Sequence, residues 1–195
     1  MTVTVVRYNA GNIRSVTNAL ERIGTPFVVS GDGDELRAAE RIIFPGVGEA
    51  SAAMAYLRST GIDQVLRETK APLLGICLGL QLLCSGSEEG DTSCLGVLSG
   101  QVRRFVTPRK VPHTGWSQVM NMNHPIFTGI PEGSYFYFVH SYRLEECADT
   151  VARSVYGEPF SAAAAARNFV GVQFHPEKSA DVGERLLRNF VEWKV

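Results

Sequence analysis

Pro72-Leu73-Leu74-Gly75-Ile76-Cys77-Leu78-Gly79-Leu80-Gln81-Leu82-Leu83 reads as an apolar strand, Pro72 to Ile76, that runs without a linker into a helix, Leu78 to Leu83. Cys77 stands at the joint with a glycine two residues to either side, the pattern of a nucleophile elbow, where a sharp turn lifts a side chain above the edge of a sheet. Working outward, Thr2–Arg7, Pro26–Ser30 and Arg41–Phe44 are short runs rich in valine, isoleucine, threonine and phenylalanine, each bounded by turn residues, and they read as strands. Between the first two, Ile13, Val16, Leu20 and Ile23 repeat at helical spacing before Gly24, and Ala50–Leu57 has helix-forming composition. Alternating strands and helices predict an α/β fold, a mostly parallel sheet flanked by helices.

Beyond residue 85 the pattern changes. Val97–Val106, Ser117–Met122, Tyr135–Leu144 and Thr150–Tyr156 are strand-like and separated by turn signals, which predicts an antiparallel extension, and Val170–Phe174 reads as a further strand. Ser161–Arg167 holds five alanines that favour helix by propensity, but its shortness and its flanks, Phe160 and Phe169, fit a hairpin, and it is assigned as a strand. Val182–Trp193 closes the chain as a helix with Leu186, Leu187, Phe190 and Trp193 on one face. No linker or repeat interrupts residues 1–195, so a single domain is expected.

Composition narrows the function. Nineteen basic and 20 acidic residues leave a net charge of -1, which offers no field for nucleic acid or a membrane surface. The longest apolar run, Ala71–Cys84, is interrupted by a proline, two glycines and Gln81 and is too short to span a bilayer. No basic flank precedes the apolar N-terminus, so the cytoplasm is the expected location. Cys77, Cys84, Cys94 and Cys147 form neither a paired framework nor a zinc-ligand spacing, and no metal or cofactor is expected.

Chemistry concentrates at Cys77, because a helix N-terminus favours a thiolate. A thiolate nucleophile needs a proton shuttle, and the histidines are His113, His124, His140 and His175. Only His175 has a carboxylate two residues on, Glu177, placed on the same side of an extended chain and able to fix the imidazole tautomer. Pro45-Gly46-Val47-Gly48 is either a plain tight turn or a loop that aims N–H groups at a phosphate or an oxyanion. Gly31-Asp32-Gly33 reads as a surface turn, and Arg103, Arg104, Arg109 and Lys110 as a solvated basic edge.

Gly75–Gln81 together with Gln173-Phe174-His175-Pro176-Glu177-Lys178-Ser179 resembles the class I, triad-type glutamine amidotransferases. Within them, Tyr8-Asn9-Ala10-Gly11-Asn12, Pro45–Gly48, Pro112-His113-Thr114-Gly115-Trp116 and Phe138-Val139-His140-Ser141-Tyr142 resemble the glutaminase subunits of imidazole glycerol phosphate synthase, along essentially the whole chain and in the same order. Arg7 stands where that family usually has Asp, and Ser117 where it usually has Asn. The resemblance implies a flavodoxin-like sheet and attack by Cys77 on the side-chain amide of L-glutamine. It also implies His175 as proton donor to ammonia, Glu177 as its orienting group, and Val47 and Leu78 N–H groups as oxyanion donors. Gln81 and Glu89 match glutamine-binding positions, and Gly46 and Gly48 line the pocket. The partner it implies is a (βα)8-barrel cyclase docked against Asn12, Trp116, Tyr137 and Lys178; a chain of this length leaves no room for a domain that would use the ammonia. The alternatives are a divergent paralogue serving another synthase, a cysteine-elbow hydrolase or chaperone-like protein, and a binding module with a dead elbow. Against the second stands Leu78, where such proteins commonly carry histidine; against the third, no triad member is missing.

Overall fold

Strands with no solvent-facing position decide the architecture. The computed structural model describes residues 1–9 and 11–195; Ala10, inside the Tyr8–Asn12 segment, lies outside the described residues. The first part runs β1 (Val3–Val6), α1 (Ile13–Arg22), β2 (Phe27–Ser30), α2 (Gly33–Arg37), β3 (Arg41–Gly46), α3 (Ala50–Thr60), α4 (Ile62–Glu68), β4 (Leu73–Cys77) and α5 (Leu78–Leu83). Every residue of β1, β3 and β4 is buried, the composition of strands covered on both faces. Alternate side chains feed two cores. Val3, Val5, Leu74 and Ile76 pack with Val16 and Leu20 of α1, while Ile42, Phe44 and Leu73 pack with Met54 and Leu57 of α3 and Leu66 of α4. Each such leucine, isoleucine or phenylalanine contributes about 1.5–3 kcal/mol by leaving water.

The second part adds β5 (Gly86–Ser87), β6 (Thr92–Ser93), β7 (Gln101–Arg104), β8 (His113–Gln118), β9 (Tyr135–His140), β10 (Tyr142–Leu144), β11 (Thr150–Val155), β12 (Pro159–Ala166), β13 (Phe169–Val172) and α6 (Ala180–Glu192). The main sheet has the order β11-β12-β13-β4-β3-β1-β2. From β13 to β2 the neighbours are parallel, and β11 and β12 extend the sheet in antiparallel fashion. A four-stranded sheet, β10-β7-β5-β6, and the antiparallel pair β8-β9 stand beside it.

Several elements differ from the sequence reading. The strand expected over Val97–Val106 is confined to β7, because Val97 and Leu98 turn back to donate N–H bonds to the Leu83 carbonyl at the end of α5. The strand expected at Ser117–Met122 lies earlier, as β8, in register with β9 from His113↔His140 to Gln118↔Tyr135. Tyr135–Leu144 is broken at Ser141 into β9, which pairs with β8, and β10, which pairs with β7. Asp32 is more than a turn residue: its side chain accepts the N–H groups of Asp34 and Glu35 and caps α2. The alanine run is strand β12, since hydrogen bonding to β11 and β13 outweighs helix propensity.

Candidate active site

β4 ends on Cys77 and α5 begins at the next residue, so the nucleophile candidate takes the whole change of direction. Its backbone sits at φ 54°, ψ -107°, a conformation that costs a non-glycine residue about 1–3 kcal/mol. The flanking glycines make the turn possible by their lack of a side chain. A Cβ on Gly75 would lie 2.8 Å from Gly79 and from Leu83 Cδ1, and one on Gly79 would overlap the Phe44 carbonyl oxygen of β3.

β13 runs parallel to β4, with Val172 opposite Ile76, and carries the next residues to the same sheet edge. This is the carboxyl end of the parallel strands, where open α/β sheets place their ligands. Gln173 is fully buried, and its Nε2 lies 3.7 Å from Cys77 Sγ. His175 and Glu177 are both buried and joined by an Nδ1–Oε1 contact of 2.8 Å. The other imidazole nitrogen, Nε2, is buried without a hydrogen-bond partner among the described residues. Burial alone would lower the proton affinity of His175, but the charge of the Cys77 sulfur and the Glu177 carboxylate outweigh it and raise the pKa to about 10. The imidazolium therefore persists at neutral pH, able to give a proton to a leaving group.

A cavity of about 300 Å³ opens over the sulfur, lined by Val47, Gly48, Cys77, Leu78, Gln81, Glu89, Pro112 and Val139–Tyr142. Val47 and Leu78, the expected oxyanion donors, thus share this wall with the sulfur, and the register Gly46↔Cys77 brings the end of β3 alongside it. Gly46, expected to line the cavity, lies behind its wall, where a Cβ would come 2.5 Å from Tyr8 Oη and 2.8 Å from Leu78 Cβ. Close packing, rather than ligand contact, requires glycine there.

The two expected binding side chains are held firmly. Gln81 donates from Nε2 to the Tyr142 carbonyl and to Gln173 Oε1, both at 3.0 Å, which spends both amide protons and leaves Oε1 as the acceptor end. Glu89 Oε2 accepts the N–H of Ala50 at 2.8 Å, at the start of α3. Partial burial raises its pKa against that hydrogen bond.

Three of the four expected docking residues form one cluster. Trp116 and Tyr137 are cross-strand partners with ring centroids 6.0 Å apart, and Lys178 Nζ lies 5.9 Å from the centre of the Tyr137 ring. Asn12 stands apart, preceding α1, which packs on the turn Pro176–Lys178. Arg103, Arg104, Arg109 and Lys110 are exposed, as expected. Reasoning from individual side chains missed Gln173, His140 and the backbone of Val139–Tyr142. Position was the available signal for Gln173, since it lies two residues before His175. Among the described residues no group of three His, Cys, Asp or Glu side chains is placed to hold a metal, and no helix is long and apolar enough to cross a membrane.

Comparison with known proteins agrees with this geometry. Residues 3–193 match the family model described as glutamine amidotransferase class-I. A protein of Bacteroides thetaiotaomicron named imidazole glycerol phosphate synthase subunit HisH is 48% identical over 98% of this chain and 100% of its own length. The subunit of the same name from Shewanella sediminis is 44% identical over 96% of this chain and 88% of its own. Among solved structures, a glutamine amidotransferase superposes with a TM-score of 0.77 at 23% identity, covering 97% of each chain. A putative GMP synthase subunit from Thermoplasma acidophilum superposes with 0.75 at 20%, covering 98% of this chain and 92% of its own. These last two likenesses concern the fold alone. With an elbow cysteine, a buried His–Glu pair and a family match along nearly its whole length, the chain belongs to the class I glutamine amidotransferases.

Proposed function

We propose that the chain, as one amidotransferase domain over residues 1–195, hydrolyses glutamine to glutamate and ammonia for imidazole glycerol phosphate synthase, in histidine biosynthesis. What supports the reading is Cys77 on the wall of a cavity that Gln81 and Glu89 also line, with the buried His175–Glu177 pair following β13, the strand that runs parallel beside β4. The relatives named for this synthase, at 42–48% identity, support it over service to a different one.

Glu89 and Gln81 hold the α-ammonium group of glutamine, which lays the side-chain amide over Cys77. Sγ attacks the amide carbon, and the oxyanion that forms is met by the N–H groups of Val47 and Leu78. His175 gives its Nε2 proton to the departing nitrogen, the carbon–nitrogen bond breaks, and ammonia leaves a thioester on Cys77. Water then attacks the thioester while His175 takes its proton, and glutamate leaves. Glu177 holds the ring through Nδ1. Ammonia passes to a (βα)8-barrel cyclase docked over Trp116, Tyr137, Lys178 and Asn12, which uses it to form imidazole glycerol phosphate and AICAR. Four unpaired cysteines suit a reducing cytoplasm.

The test is glutamate release by the chain alone, with the cyclase, and with the cyclase plus its nucleotide ligand. Turnover that rises across the three supports the reading, and Cys77→Ala should abolish it. An unchanged rate refutes the coupling, and near wild-type turnover by Cys77→Ala refutes the triad.

A further inference from the structure

Two imidazoles outside the proposed chemistry are buried together beside the cavity. His113 of β8 and His140 of β9 are cross-strand partners, with His113 Nδ1 3.1 Å from His140 Nε2. At the outer end, His113 Nε2 lies 2.9 Å from the hydroxyl of Ser117, which lines a separate surface groove with Trp116. At the inner end, His140 Nδ1 lies 2.7 Å from the Tyr142 carbonyl oxygen, the same atom that accepts Gln81 Nε2. His113 is stacked between Tyr156 and Phe138, at centroid distances of 4.0 and 5.0 Å.

Only one proton arrangement satisfies all these contacts for neutral rings. A carbonyl oxygen can only accept, so His140 donates from Nδ1. Its Nε2 then carries a lone pair and accepts from His113 Nδ1–H. That leaves a lone pair on His113 Nε2, which the Ser117 hydroxyl satisfies. Burial keeps both rings neutral, lowering His140 to about 3 and, aided by the charge of Arg109, His113 to about 4. In the opposite arrangement Ser117 accepts, and His140 Nδ1 turns a lone pair on the Tyr142 oxygen at 2.7 Å. That repulsion would push away the carbonyl that orients Gln81.

We infer that Ser117, His113 and His140 are positioning residues for glutamine binding, a one-way hydrogen-bond relay that holds the Tyr142 carbonyl and, through it, turns the Gln81 amide with its acceptor oxygen to the substrate. The relay rests on the reading of Gln81 as a substrate-binding residue.

The test combines kinetics and spectroscopy. Glutamine hydrolysis is measured with the synthase partner present for the wild type, Ser117→Ala and Ser117→Thr. Loss of the hydroxyl raises KM about threefold to tenfold, the effect of one net hydrogen bond, with kcat within about twofold, and threonine restores KM. An unchanged KM in Ser117→Ala, a loss confined to kcat, or no rescue by threonine overturns the relay. In the substrate-free protein labelled with nitrogen-15 histidine, His113 and His140 should both appear as the neutral Nδ1–H form; an Nε2–H or charged form of either overturns it. Gln81→Ala with a wild-type KM would instead remove the substrate-binding reading of Gln81, leaving the nitrogen-15 measurement to stand separately.

Discussion

The carbonyl oxygen of Tyr137 accepts the backbone N–H of His175 at 2.8 Å. Ser179 completes the link, since its hydroxyl donates to the His175 carbonyl at 2.7 Å and accepts the Tyr137 N–H at 3.0 Å. Ser179→Ala should therefore loosen the imidazole and leave the Tyr137 N–H unpaired, while the His175 carbonyl keeps only the N–H of Lys178 at 3.0 Å. Stability should fall by about 1–3 kcal/mol in urea unfolding, and kcat should fall while KM for glutamine changes little.

Cys77→Gly separates the elbow's strain from its chemistry. Glycine tolerates φ 54°, ψ -107°, so removing about 1–3 kcal/mol of strain outweighs the entropy cost of the extra backbone freedom. The variant should be inactive and more stable than the wild type, by about 1 kcal/mol, in a calorimetric or urea measurement.

The elevated pKa of His175 sets a pH dependence. Its folded value is about 10 against an ordinary 6.5, so the stability it contributes is complete below 6.5 and is lost as pH rises toward 10. Hydrolysis, which needs the imidazolium, should hold through neutral pH and decline on an alkaline limb near 10. Glu177→Gln removes a carboxylate that raises the value and should move that limb toward neutrality by about one pH unit or more. His175→Ala should cost about 10² to 10⁴ in rate, and Glu177→Gln less, because it disturbs orientation but keeps the shuttle. pH–rate profiles of the three proteins check both expectations.

Thiol labelling should report the cavity. Burial pushes Cys84 well above the usual thiol range and Cys94 up to about 11, whereas Cys77 faces the cavity. A limiting dose of iodoacetamide near neutral pH should label Cys77 ahead of Cys84 and Cys94, as read by peptide mapping.

The elbow was legible because the residues that mark it are close together in the chain. Gly75 is forced by Gly79 and Leu83 of the next turn and Gly79 by Phe44 of β3, while His175 and Glu177 meet across the 3-10 turn Pro176–Lys178 and not along the extended chain expected. The cavity wall was less legible. Its Val139–Tyr142 stretch contributes backbone groups, and the break at Ser141 arises from pairing with β7, some forty residues away in the chain. Helices α2 and α4 span five and seven residues, too few for a clear period. The β12 alanines carry a helical propensity that only their neighbouring strands override.

That break at Ser141 also makes the β8–β9 hairpin a lever. β9 carries Tyr137 near its outer end and His140 at the cavity, about 10 Å apart at the rise of an extended strand. Ser141 is the single residue between the hairpin and the small sheet. A tilt imposed at Trp116 and Tyr137 would have only Ser141 in which to dissipate before it met the small sheet, and His140 and Ser141 are themselves part of the cavity wall.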